Sequence, residues 1–178
     1  EDHPIYLDYL DFQEKYGQQN IIAIAIEDVH LNNILNLKDW DEASNKIKHI
    51  SGVEQVVSIT QLPLLYKDTL DRNFYTELWY DSLITNQQDL DIAFNSFLRQ
   101  PFYKGLFVNE KNQATALMIK LDSKVLLTPE RENIILSIKA ITDIYAEKYK
   151  AKIYYSGMPY IRTIHSTKVK EEILIFII

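Results

Sequence analysis

Cysteine is absent from the 178 residues, which excludes disulfides, thiolate metal ligands and cysteine nucleophiles together. Glycine is scarce: four residues, too few and too scattered for a phosphate-cradling loop. No Gly-x-Ser-x-Gly or His-Glu-x-x-His string occurs either. No apolar run approaches the roughly 20 residues that span a bilayer. Positive charge is in deficit, with a formal net charge of −6. Nucleic-acid binders gain affinity from clustered Lys and Arg, so a nucleic-acid partner is not expected. The four histidines, His3, His30, His49 and His165, are far apart, and none sits at a metal-ligand spacing. They read as surface or capping residues. The acidic groups Asp8/Asp11, Asp39/Asp41/Glu42 and Asp89/Asp91 lack the glycine turn and terminal Glu of a calcium loop. They read as solvated helix faces and caps. No catalytic residue, metal or cofactor is expected, and no enzymatic activity.

What is present is apolar and aromatic. The chain is 47% hydrophobic, with 12 Tyr and 7 Phe, enough to bury the core of a single domain over 1–178. Pro4 suits the first turn of an amphipathic helix over 4–16, with Gly17 as its stop. "NIIAIAIE" (20–27) reads as a buried central strand. A loop over 29–36 follows. Trp40, Ala43, Ile47 and Ile50 then recur at helical spacing, with Asp39 as N-cap and Gly52 as stop. "VEQVVSIT" (53–60) is the next strand, which closes a β-α-β unit.

Residues 61–101 interrupt that pattern. Pro63 breaks the strand, and the aromatic stretch 70–84 is expected to be helical. Thr85 and Gln88 form a candidate capping box. Leu90, Ala93, Phe94, Phe97 and Leu98 lie on one face of a helix that Pro101 closes. The region reads as a helical insertion. Within or beside it lie Phe74, Tyr75, Trp79, Tyr80, Phe94, Phe97, Phe102 and Tyr103. Aromatic walls suit a lipid-like or amphipathic ligand, and they equally suit packing of the insertion onto a sheet.

Regular structure then resumes. A hairpin is expected over 105–109 and 114–122, with Thr115, Leu117, Ile119 and Leu121 on one face of its second strand. Thr128 reads as the cap of a helix with Pro129 at its first position and Glu130 in its first turn. Ile134, Ile138, Ile141, Tyr145 and Tyr149 are its apolar stripe, and a strand over 152–155 follows. The expected fold is α+β: a ferredoxin-like βαβ-ββαβ sandwich with a mixed sheet and helices on one face.

Past Gly157-Met158-Pro159 the chain restarts as a helix and ends in Ile173 to Ile178, all apolar. It opens Glu1-Asp2-His3-Pro4, without an initiator Met. Together these suggest a segment of a longer polypeptide, with the apolar end as the first turns of a membrane helix. Gly157 and Pro159 are then the hinge to that helix.

Several strings in this order resemble the large extracytoplasmic loop of exporters of the resistance–nodulation–division superfamily, in the branch of lipid-exporting large mycobacterial-type membrane proteins. They are "FQEKYGQQNIIAIAIE" (12–27), "IKHISGVEQVVSIT" (47–60), the hairpin "GLFVNEKNQATALMIKL" (105–121) and "IYYSGMPYIRTIHSTKVKEEILIFII" (153–178). The likeness covers most of the chain apart from the aromatic insertion. It implies a ferredoxin-like porter domain on the periplasmic side of a bacterial inner membrane, part of a proton-driven efflux conduit for hydrophobic or amphipathic substrates. Its partners would be the membrane helices and second loop of the same transporter chain, the substrate, and a further copy or an accessory protein. The proton-carrying residues of that family would lie in helices outside these residues. The rival expectation is a ferredoxin-like ligand- or protein-binding module with no transport role.

Overall fold

The computed structural model describes residues 8, 20–28, 30–68, 72–100, 102–103, 105–109 and 114–177, with the side chains of 171 and 174–177 left aside. The elements are β1 (Ile21–Glu27), α1 (Ile34–Lys48), β2 (Val53–Val57), β3 (Pro63–Lys67), β4 (Phe74–Leu78), α2 (Gln87–Leu98), β5 (Val108–Asn109), β6 (Ala114–Leu121), α3 (Glu130–Tyr149), β7 (Lys152–Ser156) and α4 (Met158–Ile177). The fold is α+β. Apart from Asp8, the expected 4–16 helix lies outside the described residues, as do Gly17, Pro101 and the hairpin apex.

The main sheet runs β2-β6-β1-β7, with β5 added on β6. Ile22, Ile24 and Ile26 of β1 stand opposite Ile119, Leu117 and Thr115 of β6. Ile24 and Ile26 also face Tyr155 and Ile153 of β7. Because strand side chains alternate with period two, all of these fall on one face. The described residues of that face in β1 and β6 are buried. Helices α1 and α3 supply Leu37, Trp40, Ile47, Ile134, Ile138 and Tyr145 to the same core. The other face carries Ala23, Ala25, Ala116 and Met118, all half-buried. Every ladder among the described strands is antiparallel, where the sequence suggested a mixed sheet.

Helix α1 begins at Ile34 rather than after Asp39. Asn33 is its N-cap, and its side chain accepts from the Leu35 N–H. The expected loop therefore ends at Asn33. Strand β2 stops at Val57, and a 3-10 turn, Ile59–Gln61, replaces its expected end. There Ser58 is buried and meets the Ser44 hydroxyl at 3.0 Å, a bond that pins this corner to α1. The Thr128 hydroxyl does not cap α3. It donates back to the Val125 carbonyl at 3.0 Å, while the Thr128 carbonyl accepts from the Arg131 N–H.

The insertion is the main correction. It is a two-stranded hairpin followed by one helix, not helical throughout. Pro63 starts β3 instead of breaking a strand, a place where its missing N–H costs no ladder bond. Phe74 to Leu78, expected in a helix, pair with Lys67 to Pro63. The N-cap of α2 is Asn86 rather than Thr85: its Oδ1 accepts from the Asp89 N–H at 3.0 Å, and its Nδ2 donates to the Asp89 carboxylate at 2.7 Å. The apolar face of α2 is as expected, with Leu90 and Phe97 fully buried.

At the other end, Gly157 makes the corner from β7 into α4 with φ +112°, and a Cβ there would lie 2.2 Å from the Ile21 carbonyl oxygen. No other residue fits such an approach. Helix α4 then continues to Ile177. It is clasped to the start of α3: Arg131 Nε donates to Thr163 Oγ1 at 3.0 Å, and Glu132 accepts from Thr167 at 3.1 Å and Lys170 at 3.0 Å. Those donors hold the Glu132 carboxyl below its usual range, Lys170 first and Thr167 second. Ile161, Val169 and Ile173 of α4 are exposed. Among the described residues, no helix is long and apolar enough to cross a membrane.

Candidate functional site

The eight aromatic candidates do not converge on one site. Trp79 and Phe97 are 3% and 0% exposed and stack with ring centroids 4.8 Å apart. Phe94 joins Trp79 at 5.5 Å, and Tyr103 stacks on Phe97 at 5.1 Å. Tyr80 leans on Trp79 at 5.7 Å. The indole N–H of Trp79 donates to the Ile59 carbonyl at 2.6 Å, and the Tyr103 hydroxyl donates to the Pro63 carbonyl. A buried Trp whose N–H is satisfied is a packing residue. These five therefore seat the insertion on the end of β2. Burial raises the Tyr80 and Tyr103 hydroxyls above the ordinary tyrosine value, with Asp41 adding to the effect at Tyr80.

Phe74, Tyr75 and Phe102 are different: they are exposed at 66%, 46% and 71%. Tyr75 stacks on Tyr66 across the hairpin at 5.4 Å. Residues directly opposite in an antiparallel pair share a face. The β3–β4 register therefore puts Leu65, Phe74 and Leu78 on one face, and all three are exposed. The sequence signalled aromatic enrichment here but not which rings stay outside.

The seat also divides the surface into clefts. Phe94 lines one of about 320 Å³, between the end of β1, α2 and β5. Tyr80 lines a wider one of about 670 Å³, between α1 and the loop that follows β4, with Lys38, Asp41 and Asp81. Trp79 reaches a third of about 350 Å³, beneath the hairpin.

Two residues that sequence reasoning passed over hold the region together. Gln87, the first residue of α2, accepts from the Ile34 N–H at 3.0 Å and donates to the Asn32 carbonyl at 2.8 Å. It thereby satisfies one of the backbone donors that every helix start leaves open. Asp28, just past β1, is 3% exposed. Its Oδ1 accepts from the His30 N–H at 2.9 Å. Its Oδ2 accepts from Asn36 at 3.0 Å and the Tyr145 hydroxyl at 2.7 Å. Burial first, and Asp28 second, push the Tyr145 hydroxyl far above the ordinary tyrosine value, so it stays a donor. Local sequence pattern gives no sign of this contact, because its partners are 117 positions apart.

Among the described residues, no three His, Asp or Glu side chains converge to hold a metal ion. His30 and His49 are exposed, and the Nδ1 of His49 lies 2.7 Å from the Asn45 carbonyl oxygen. No protein-family model matches this chain, and no curated protein matches it.

Proposed function

We propose that this chain is the extracytoplasmic domain of a proton-driven exporter of the resistance–nodulation–division type, forming part of a conduit for hydrophobic or amphipathic substrates. The observation that carries the reading is the interleaving of two β-α-β units around antiparallel strands, β2-β6-β1-β7, with α4 leaving directly from the last strand. That order supports a ferredoxin-like sandwich, the fold the family resemblance implies. The hairpin and α2 are an insertion between its halves.

In this reading α4 leads toward a membrane helix, and the Gly157–Pro159 corner is the joint. The clasp of Arg131 and Glu132 on α4 supports such a role, because it couples a domain helix to the departing one. The half-buried Ala23, Ala25, Ala116 and Met118 face suits packing by another part of the same transporter chain. Phe74, Tyr75 and Phe102 offer contact to substrate or to an accessory protein. The work is conformational, with no covalent chemistry in this domain. The segment lies on the periplasmic side of the bacterial inner membrane.

The exposed stripe of Leu65, Phe74 and Leu78 also favours a second reading, a ferredoxin-like module that binds a protein or ligand without transport. Accumulation of an amphipathic fluorescent compound separates the two. An efflux-deficient host expressing the parent gene should accumulate less of it than the host alone, and a protonophore should erase the difference. Equal accumulation in both strains rejects the exporter reading.

A further inference from the structure

We propose that β4 is a self-association edge: two copies of this chain pair their β4 strands antiparallel about Thr76 and join their hairpins into one ribbon. This goes beyond both readings of function and holds under either.

In an antiparallel ladder, hydrogen-bonded and non-hydrogen-bonded residue pairs alternate. The Asp68 N–H donates to the Asn73 carbonyl at 2.8 Å, which marks Asp68–Asn73 as a bonded pair. By alternation along the register, Tyr66–Tyr75 and Leu64–Glu77 are bonded pairs, while Lys67–Phe74, Leu65–Thr76 and Pro63–Leu78 are not. Pro63, which has no N–H to give, falls in a non-bonded pair, in keeping with that phase. The N–H and C=O groups of Phe74, Thr76 and Leu78 therefore point away from β3. Among the described strands none pairs on that side, and every residue of β4 is exposed. An edge of this kind is a template for another strand.

The residue order of β4 selects the partner. Phe74-Tyr75-Thr76-Glu77-Leu78, laid antiparallel on a copy of itself about Thr76, sets Phe74 opposite Leu78 at both ends and Thr76 opposite Thr76. These are the residues whose backbone groups point outward, so each exchanges both hydrogen bonds with the other copy. An apolar pair at each end and a Thr–Thr pair at the centre are favourable cross-strand neighbours. On the other face Glu77 stands opposite Tyr75, so the one charge of the strand does not oppose its own copy. Centring the pair on Glu77 sets the two carboxylates directly opposite, which is unfavourable. Centring it on Tyr75 leaves Leu78 without a β4 residue to pair with.

The direction is settled by where the hairpin is seated. Leu62 and Trp79, next to its Pro63–Leu78 end, are buried in the core. Antiparallel pairing puts the bodies of the two copies at opposite ends of the ribbon, clear of each other. Parallel pairing crowds them at one end. The contact is a single strand long, smaller than a standard stable interface, so the dimer is weak and reversible.

The test is sedimentation velocity of the 178-residue chain over a concentration series, beside Thr76→Lys and Thr76→Glu. The native chain should sediment as a monomer–dimer equilibrium. Each variant alone should dimerise about tenfold more weakly or worse, because its new charge meets its own copy. An equimolar mixture of the two variants should recover the dimer, because Lys then opposes Glu. If either variant fails to fold, Thr76→Cys decides. The chain has no other cysteine, and a nitroxide label there should show dipolar coupling to its copy. A native chain that stays monomeric, which leaves the edge to a strand from another protein, overturns the proposal. So do a dimer unweakened in both charged variants, no recovery in the mixture of folded variants, or no coupling between the labels.

Discussion

Strands β1 and β4 show two ways for a strand to exist in one molecule. In β1, Ile22, Ile24 and Ile26 are 1%, 0% and 0% exposed, and the strand is paired on both sides, by β6 and β7. In β4 every residue is exposed, and among the described strands its one neighbour is β3. A lone two-stranded hairpin is marginal in water, so β4 depends on what its neighbours in sequence do. Trp79 follows it directly and enters the core, and α2 brings Phe97 to meet it. The core is therefore stabilised by buried area spread over a whole sheet face. The insertion is attached by the Trp79–Ile59 hydrogen bond, the Gln87 bridge and a few buried side chains, Leu64, Trp79, Leu90 and Phe97, that join the same core. Concentrated attachment leaves the hairpin surface free for other contacts, and the exposed rings are found there.

The contrast breaks first if a core truncation turns out to be cheap. Ile24→Ala removes side-chain volume at a fully buried site of the central strand and should cost about 2–5 kcal/mol, read as a global shift of the urea midpoint. Tyr145→Phe removes one of the three Asp28 donors and should cost about 1–3 kcal/mol. Its effect should also be global, because the bond joins α3 to the end of β1. Gln87→Ala tests the insertion side. It uncaps Ile34 and releases Asn32, and it should cost about 1 kcal/mol, with increased amide exchange at the start of α1. Phe74→Ser lies on the free surface and should change stability by less than about 0.5 kcal/mol. A larger loss would mean that the outer face of the hairpin is covered.

The smallest effect is electrostatic. Asp39 accepts from Lys148 and from Tyr149, the latter at 2.7 Å, and these donors hold its carboxyl below the ordinary value. A depressed carboxyl stabilises the fold above its unfolded pKa and loses that contribution as pH falls through the folded one. Glu132 has the same sign through Lys170 and Thr167. Thermal stability should therefore decline below about pH 4. Asp39→Asn should lower stability slightly at neutral pH, where the carboxylate contributes, and so flatten part of that decline.

The same contrast explains what the sequence revealed. Alternation in β6 and the stripe of α3 were legible because each has one wet face and one dry face, so period and burial coincide. In β4, Phe74 and Tyr75 are both exposed, so no face is marked. An aromatic run without a marked face carries no period that tells a strand from a helix. The start of α1 was missed because Ile34 and Leu35 follow a polar turn, yet Asn33 before them carried a usable capping signal. Asn86 and Asp89 form the same kind of cap one residue beyond the expected pair. At the candidate sites, Trp79 and Phe97 were found by enrichment, but their division from Phe74 and Phe102 depends on tertiary packing. Asp28 left no signal, because its Tyr145 donor comes from α3, 117 positions along the chain.

Hydrogen–deuterium exchange on Trp79→Ala tests the separation of core and insertion most directly. Amides of β3, β4 and α2 should lose protection, while those of β1 and β6 keep nearly all of theirs. Loss of protection in β1 and β6 to the same degree as in β3 and β4 would contradict it, and would make the insertion an integral part of a single cooperative core.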